Sequence, residues 1–356
     1  NKPLIIKSEG ESIPSALSNS ADVLGRKLYL PHIKIRLFSE KIAKTDMRSI
    51  MDLYLRDSEI RQTAIIAVIK GDNPEALYEA SAKPEDNIGD YIERVLETQK
   101  RENSVSVYME TLEFARDIYE DGIEPVATLI ELVEEQAKEE KDGQQAGNGN
   151  GGQSMGQGGG NQGGSGGSQE GEETPKKKLV IQGFAVFKNN RLVGYMDATE
   201  ARAYNFITNR LKNAIVTIPF ENGEHTVVQV KNSNAAIKVD MNEGKTDIDL
   251  NIKTEMIILQ ETNIKNINEN EVLKTIEERF NELIRNEIVQ TLEKSQKEFQ
   301  ADSYGFGLYA HIQNPREFEK ANHDWNSSFA DANINVTVES MARNTGAIKQ
   351  PFKLEF

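Results

Sequence analysis

The side chains with which this chain could do chemistry are four histidines, 57 carboxylates and no cysteine. Without cysteine there is no thiolate nucleophile, disulfide or sulfur-ligated zinc. His32 falls in a predicted strand, His225 opens one, and His311 and His323 flank a turn; no two stand four apart as metal-binding helix pairs do. No H-E-x-x-H, G-x-x-x-x-G-K-[ST] or G-x-S-x-G occurs, and no G-x-G-x-x-G follows a predicted strand. Asp240, Asn242, Gly244, Asp247 and Asp249 imitate a calcium loop, but counting from Asp240 puts glycine fifth and asparagine twelfth, where an EF-hand needs glycine sixth and glutamate twelfth. A hairpin turn at Glu243-Gly244 explains that run better. A glycosidase pair is defined by the separation of its carboxylates, which a sequence does not give. The acidic tract at 131–140 reads as a solvated helix surface. No catalytic, cofactor-binding or metal-ligating residue is assigned, and the expectation is a protein that is not an enzyme.

The elements that would position any site are spread over 356 residues, enough for two or three cores. A formal charge of −15 argues against nucleic acid as a partner, since phosphate binding needs clustered Lys and Arg. No stretch reaches the ~20 apolar residues of a membrane span, and NKPLIIKSEG lacks a signal-peptide layout. Residues 143–171 are nearly half glycine and read as a disordered linker, its ends roughly 30 Å apart as a random coil.

Before the linker, Ile33, Ile35 and Leu37 alternate as in a strand, 47–55 is helical, and the wholly apolar 64–69 suits a strand covered on both faces. Asn73-Pro74 reads as a helix start. Ile88, Tyr91, Ile92, Val95 and Leu96 form one helical stripe. A second helix is expected over 105–120, with Tyr108, Leu112, Ala115 and Tyr119 aligned and Gly122 ending it. The segment after Pro125 fits helix and strand equally. Beyond the linker, Asn189-Asn190 marks a hairpin, and Asp197 with Glu200 a helix start. Strands are expected at 215–220, 225–231, 235–241 and 246–260. A long helix with Asn268 and Glu271 at its start covers their dry face, and a last strand carries Ile334, Val336 and Val338. The fold class is α+β, multi-domain, with mixed and antiparallel sheets and helices packed on one face. The expected division is an N-terminal α/β-type domain at 1–140, a linker at 141–177, a small hairpin-helix domain at 178–222, and a C-terminal antiparallel sheet with a long helix at 223–356.

Several of these stretches, in this order, resemble the C-subunit lipoprotein family of bacterial spore germinant receptors. They are EGESIPSAL from Glu9, RKLYLPHIKIRLFSEKIAK from Arg26, DLYLRDSEIRQTAIIAVIKG from Asp52, GFAVFKNNRLVGYMDATEARA from Gly183, DSYGFG from Asp302, and the closing Trp325, Phe329, Val336, Val338 and Gly346. The resemblance implies a non-catalytic three-domain lipoprotein on the outer surface of the spore inner membrane, working beside integral-membrane A and B subunits. It also implies an acylated N-terminal cysteine, a palmitate-type anchor, so a chain beginning at Asn1 is expected to be truncated. Candidate partner-contact or family-motif residues are Gly183, Phe187, Leu192, Gly194, Glu200, Asp302, Gly305, Gly307 and Trp325. Each also has a structural reading: close backbone approach for Gly183 and Gly194, a helix cap for Glu200, core for Trp325 and Phe329. The competing functions are a ligand-binding module that senses germinant and a cell-wall hydrolase.

Overall fold

The computed structural model describes residues 4–26, 28–56, 61–71, 74–79, 87–134, 177–220, 223–261, 269–320 and 324–343. Helix α1 (Ile13–Leu24) starts at a Ser12–Ser15 capping box with Pro14 in its first turn and stops at Gly25, whose φ is 65°. After a 3-10 turn at Leu30–His32 come β1 (Ile35–Ser39), α2 (Glu40–Ala43), α3 (Arg48–Arg56), β2 (Ile65–Ile69), α4 (Ala76–Glu79), α5 (Ile88–Glu102), α6 (Thr111–Tyr119) and β3 (Val126–Glu134). Asn73 and Asn268, the expected caps, lie outside the described residues, as does the expected linker up to residue 176.

The chain resumes with β4 (Lys177–Val180), β5 (Phe184–Lys188) and β6 (Arg191–Met196), which join β1, β2 and β3 in one sheet of order β1-β2-β3-β5-β6, with β4 also on β3. Strand β2 is buried along its whole length, as its apolar run requires. One face packs on α3 and α6 through Ile66, Val68, Met51 and Phe114, the other on α5 through Ile65, Ala67, Ile92 and Leu96. In β1 both faces are covered: Ile35 and Leu37 lean on the α5 layer as their alternation indicated, and Arg36 and Phe38 on the other face are buried as well. Arg36 is tolerated because its guanidinium donates to Thr111 Oγ1 (2.6 Å) and the Arg61 carbonyl (2.8 Å) and lies over the Tyr54 ring.

Helix α7 (Ala198–Ile207) leads to the second sheet, built from β7 (Ala214–Pro219), β8 (His225–Asn242), β9 (Lys245–Glu261) and β10 (Asn333–Arg343) in the order β10-β9-β8-β7. Between β9 and β10 come α8 (Glu269–Lys294), a π-helical turn at Ser295–Phe299, α9 (Phe306–Gln313), α10 (Pro315–Lys320) and α11 (Trp325–Ala330). Ile276, Phe280, Ile284 and Ile288 of α8 are fully buried on the dry face of this sheet. The expectation of an antiparallel C-terminal sheet is corrected at its edge: β10 runs parallel to β9, Asn333 beside Asp247, because α8 returns the chain to the start of β9 before the last strand forms. The segments 225–231 and 235–241 are one strand with a bulge between Val230 and Asn232.

Two further findings depart from the sequence reading. The helix expected over 105–120 begins only at Thr111; Leu112 and Tyr119 are 51% and 48% exposed, and Phe114, Ala115 and Ile118 form its buried face. Residues 105–110, with β-branched Val105 and Val107, run extended, with Ile65 bridged to Glu110 and Ser106 to Gly183. Strands β3 and β4 pair antiparallel, Glu134 opposite Lys177, so the described residues on either side of the glycine-rich stretch are neighbours in one sheet. Strands from 1–140 and from 178–222 therefore share a sheet, and β7 belongs to the second sheet, a different division from the one expected.

Candidate functional site

The motif residues converge most closely where the two sheets meet. Asp302 follows the π-helical turn at the end of α8, where Gln300 adopts φ 50° and turns the chain inward. Its carboxylate is fully buried and accepts four hydrogen bonds: Oδ1 from the amides of Tyr304 (2.9 Å) and Gly305 (3.1 Å), Oδ2 from the amide of Gly307 (2.9 Å) and Trp325 Nε1 (2.7 Å). Burial pushes the Asp302 carboxyl up to about 6, while those four donors pull it the other way. Gly305 has φ 80°, which favours glycine. Gly307 has no room for a side chain, since a Cβ there would stand 2.5 Å from Gly122 Cα and 2.7 Å from Trp325 Nε1. Asp302, Gly305, Gly307 and Trp325 are thus one constellation, beside an aromatic cluster in which Phe306 stacks on Phe329 and Tyr304 is tilted against both.

The other motif residues lie elsewhere. Gly183, at φ 74°, abuts the Met196 carbonyl, and Gly194 faces the Phe299 ring, so neither admits a Cβ without displacement. Phe187 and Leu192 are cross-strand partners in the core of the hairpin, Phe187 edge-on to Phe114 at 5.1 Å. The hairpin turns at Asn189 and Asn190 with φ 49° and 64°, as the sequence indicated. Glu200 closes the capping box of α7 with Asp197 and also receives Lys294 Nζ of α8 at 2.9 Å. Gly183, Phe187, Leu192, Gly194 and Glu200 therefore hold backbone, core and helix positions apart from the Asp302 constellation.

A groove of about 190 Å³ opens beside that constellation, lined by Arg48, Asp117, Gly122, Glu124, Asn189 and Trp325 among others. Glu124 was not singled out from the sequence, and one carboxylate among 57 ahead of a proline carries no periodicity that could have marked it. Its Oε1 accepts from Asn326 Nδ2 at 2.6 Å and its Oε2 from the Asn189 amide at 3.0 Å, while its own amide donates to the Asp302 carbonyl at 2.7 Å. Burial raises the Glu124 carboxyl, with Asn326 and Asn189 opposing. Gly122, expected only to end a helix, is the backbone contact for Gly307. A second cavity, of about 290 Å³, is bounded by Lys70, Glu131, Tyr195 and Lys294, with Lys70 paired to Glu131 at 2.7 Å and Lys294 to Glu200.

Among the described residues no cluster of three or more histidines and carboxylates is arranged to hold a metal ion. His311 stacks on Phe318 at 4.9 Å and His32 lies against Tyr29. His323 lies outside the described residues. The Asp240–Asp249 region is a hairpin, with Glu243 at φ 49° and Gly244 at φ 80°. No helix among the described residues is long and apolar enough to cross a membrane.

Two family models match the chain in succession: a spore germination protein N-terminal domain over residues 1–132 and a spore germination B3/GerAC-like C-terminal domain over 182–346. Spore germination protein KC of Bacillus subtilis is 22% identical over 98% of this chain and 80% of its own length. Spore germination protein B3 of the same organism is 19% identical over 96% of the chain and 81% of its length. Among solved structures, that of the GerBC protein superposes with a TM-score of 0.62 at 15% identity, covering 90% of this chain and 82% of that one.

Proposed function

The chain belongs to the spore germination B3/GerAC-like family, and from that membership we propose that it is a non-catalytic, extracytoplasmic subunit of a nutrient germinant receptor. In this reading it sits lipid-anchored on the outer surface of the spore inner membrane and acts through contacts with integral-membrane A and B subunits. The observation that carries the reading is the order of the two family models along the chain, N-terminal then C-terminal, with relatives aligned over nearly its whole length. The motif carboxylates support the non-catalytic part: Asp302 is saturated by four donors and Glu200 is engaged by Asp197 and Lys294, which leaves neither poised for proton transfer.

Spores lacking the gene are expected to lose germination on the nutrient that their receptor answers, and the wild-type gene restores it. Residue-mapped crosslinking in the same spores should capture the membrane subunits. Unchanged germination on every nutrient that the parent spores answer would sink the proposal. Micromolar binding of a germinant amino acid or sugar to the isolated chain would favour direct sensing instead, and release of soluble fragments from peptidoglycan would favour a hydrolase.

A further inference from the structure

The Glu124 side chain bridges the two family modules at one of the places where they touch. It stands in the short connection from α6 to β3, the strand on which β2, β4 and β5 all pair. Its two oxygens reach different parts of the other module, the β5–β6 turn through Asn189 and α11 through Asn326. Asn326 in turn faces the Asp302 amide at 3.4 Å, and its neighbour Trp325 donates to the Asp302 carboxylate. The Gly122–Gly307 contact brings the two backbones together at the same point. The Glu124 contacts to Asn189 and Asn326 line the groove, whereas Tyr304, Phe306, Trp325 and Phe329 belong to the apolar core, so the Glu124 contacts can break while that core stays packed.

We propose that the Glu124 carboxylate is a conformational clasp, fixing the β5–β6 turn and the α11–Asp302 segment to the α6–β3 connection, and that its release loosens those two segments while both sheets stay folded. The chemistry requires two acceptors in one rigid group. In Glu124→Gln the side-chain NH₂ faces the Asn189 amide or the Asn326 NH₂, donor against donor, and turning the Asn326 amide over to accept it only moves the clash to the Asp302 amide, so one bond is lost in every arrangement. Exchanging the partners restores the pattern. With Asn326→Asp added, the side-chain NH₂ at position 124 donates to the carboxylate at position 326, and the side-chain carbonyl at 124 accepts from the Asn189 amide. The carboxylate at 326 keeps its second oxygen for the Asp302 amide.

The test is amide hydrogen exchange on the 356-residue chain, read segment by segment. Glu124→Gln and, independently, Asn326→Ala should speed exchange about tenfold or more at residues 189–190, 302–307 and 325–329, a lost buried bond being worth about that factor. Amides of β2, β8 and β9 should stay within about twofold of wild type. The double variant Glu124→Gln/Asn326→Asp should return the three segments to wild-type rates. Unchanged exchange in both single variants, acceleration spread through β2 and β8, or failure of the double variant to rescue would each overturn the clasp.

Discussion

The Trp325 indole gives its N–H to a carboxylate that already accepts three backbone amides, so its bulk and its donor can be separated by substitution. Trp325→Phe keeps an aromatic ring and deletes one hydrogen bond to a charged group, at a cost of about 1.5 to 3 kcal/mol. Trp325→Ala also opens a cavity and should cost about 3 to 5 kcal/mol in urea unfolding. Equal losses would assign the whole effect to the hydrogen bond. Asp302 adds a pH dependence with a definite sign. Its folded value, about 6, lies above the ordinary 3.8, so between those values the folded protein holds a proton that the unfolded chain releases. The associated stability is present below pH 3.8 and lost as pH rises through 6, on the order of 3 kcal/mol at full extent. Asp302→Asn cannot titrate, so wild-type stability measured relative to this variant should fall between about pH 4 and 7. A flat difference would show that the four donors offset the burial. At this scale the sequence marked Asp302, Gly305, Gly307 and Trp325 but not what joins them, because a buried carboxylate satisfied by backbone amides has no side-chain spacing to recognise.

Polar side chains meet the open backbone at the edges of the second sheet. Strand β7 pairs with β8 only as far as Val230, leaving residues 235–241 of β8 to be met by other groups. Asn209 donates to and accepts from Ala235, Gln313 accepts from the Val239 amide at 2.7 Å, and Asn314 donates to the Val239 carbonyl at 2.6 Å. On the opposite edge Glu277 accepts from the Ala342 amide and Arg285 donates to the Val336 carbonyl. Gln313→Ala with Asn314→Ala should uncover a strand edge and produce concentration-dependent association in light scattering, where the wild type stays constant. If the double variant remains constant over the same range, these amides are not what protects the edge. Legibility at this scale followed periodicity. The stripes of α5 and α8 and the alternation of β9 were readable because each buries one face. Helix α6 was misphased because Tyr108 and Leu112 precede or open it, and the parallel partnership of β10 could not be read because strand direction leaves no mark on alternation.

Across the molecule, the pairing of Glu134 with Lys177 makes residues 135–176 an insertion within a hairpin. Replacing them by Asn-Gly should leave the thermal midpoint unchanged or higher, since the shorter connection lowers the entropy of closing the β3–β4 pair. A fall of more than a few degrees would mean that the insertion contributes to the fold. The α+β class was legible from the elements, whereas the sharing of one sheet across the glycine-rich stretch was not, because composition reports the character of a connection and not the distance between its ends. The parallel edge of the second sheet carries a consequence for the protein's birth. Asn333 meets Asp247 across 86 positions of chain, so β9 leaves the ribosome roughly 4 to 17 seconds before its neighbour at ordinary synthesis speeds. During that interval β9 has a partner on one side only, and the nascent chain must be kept from strangers until its own fourth strand arrives.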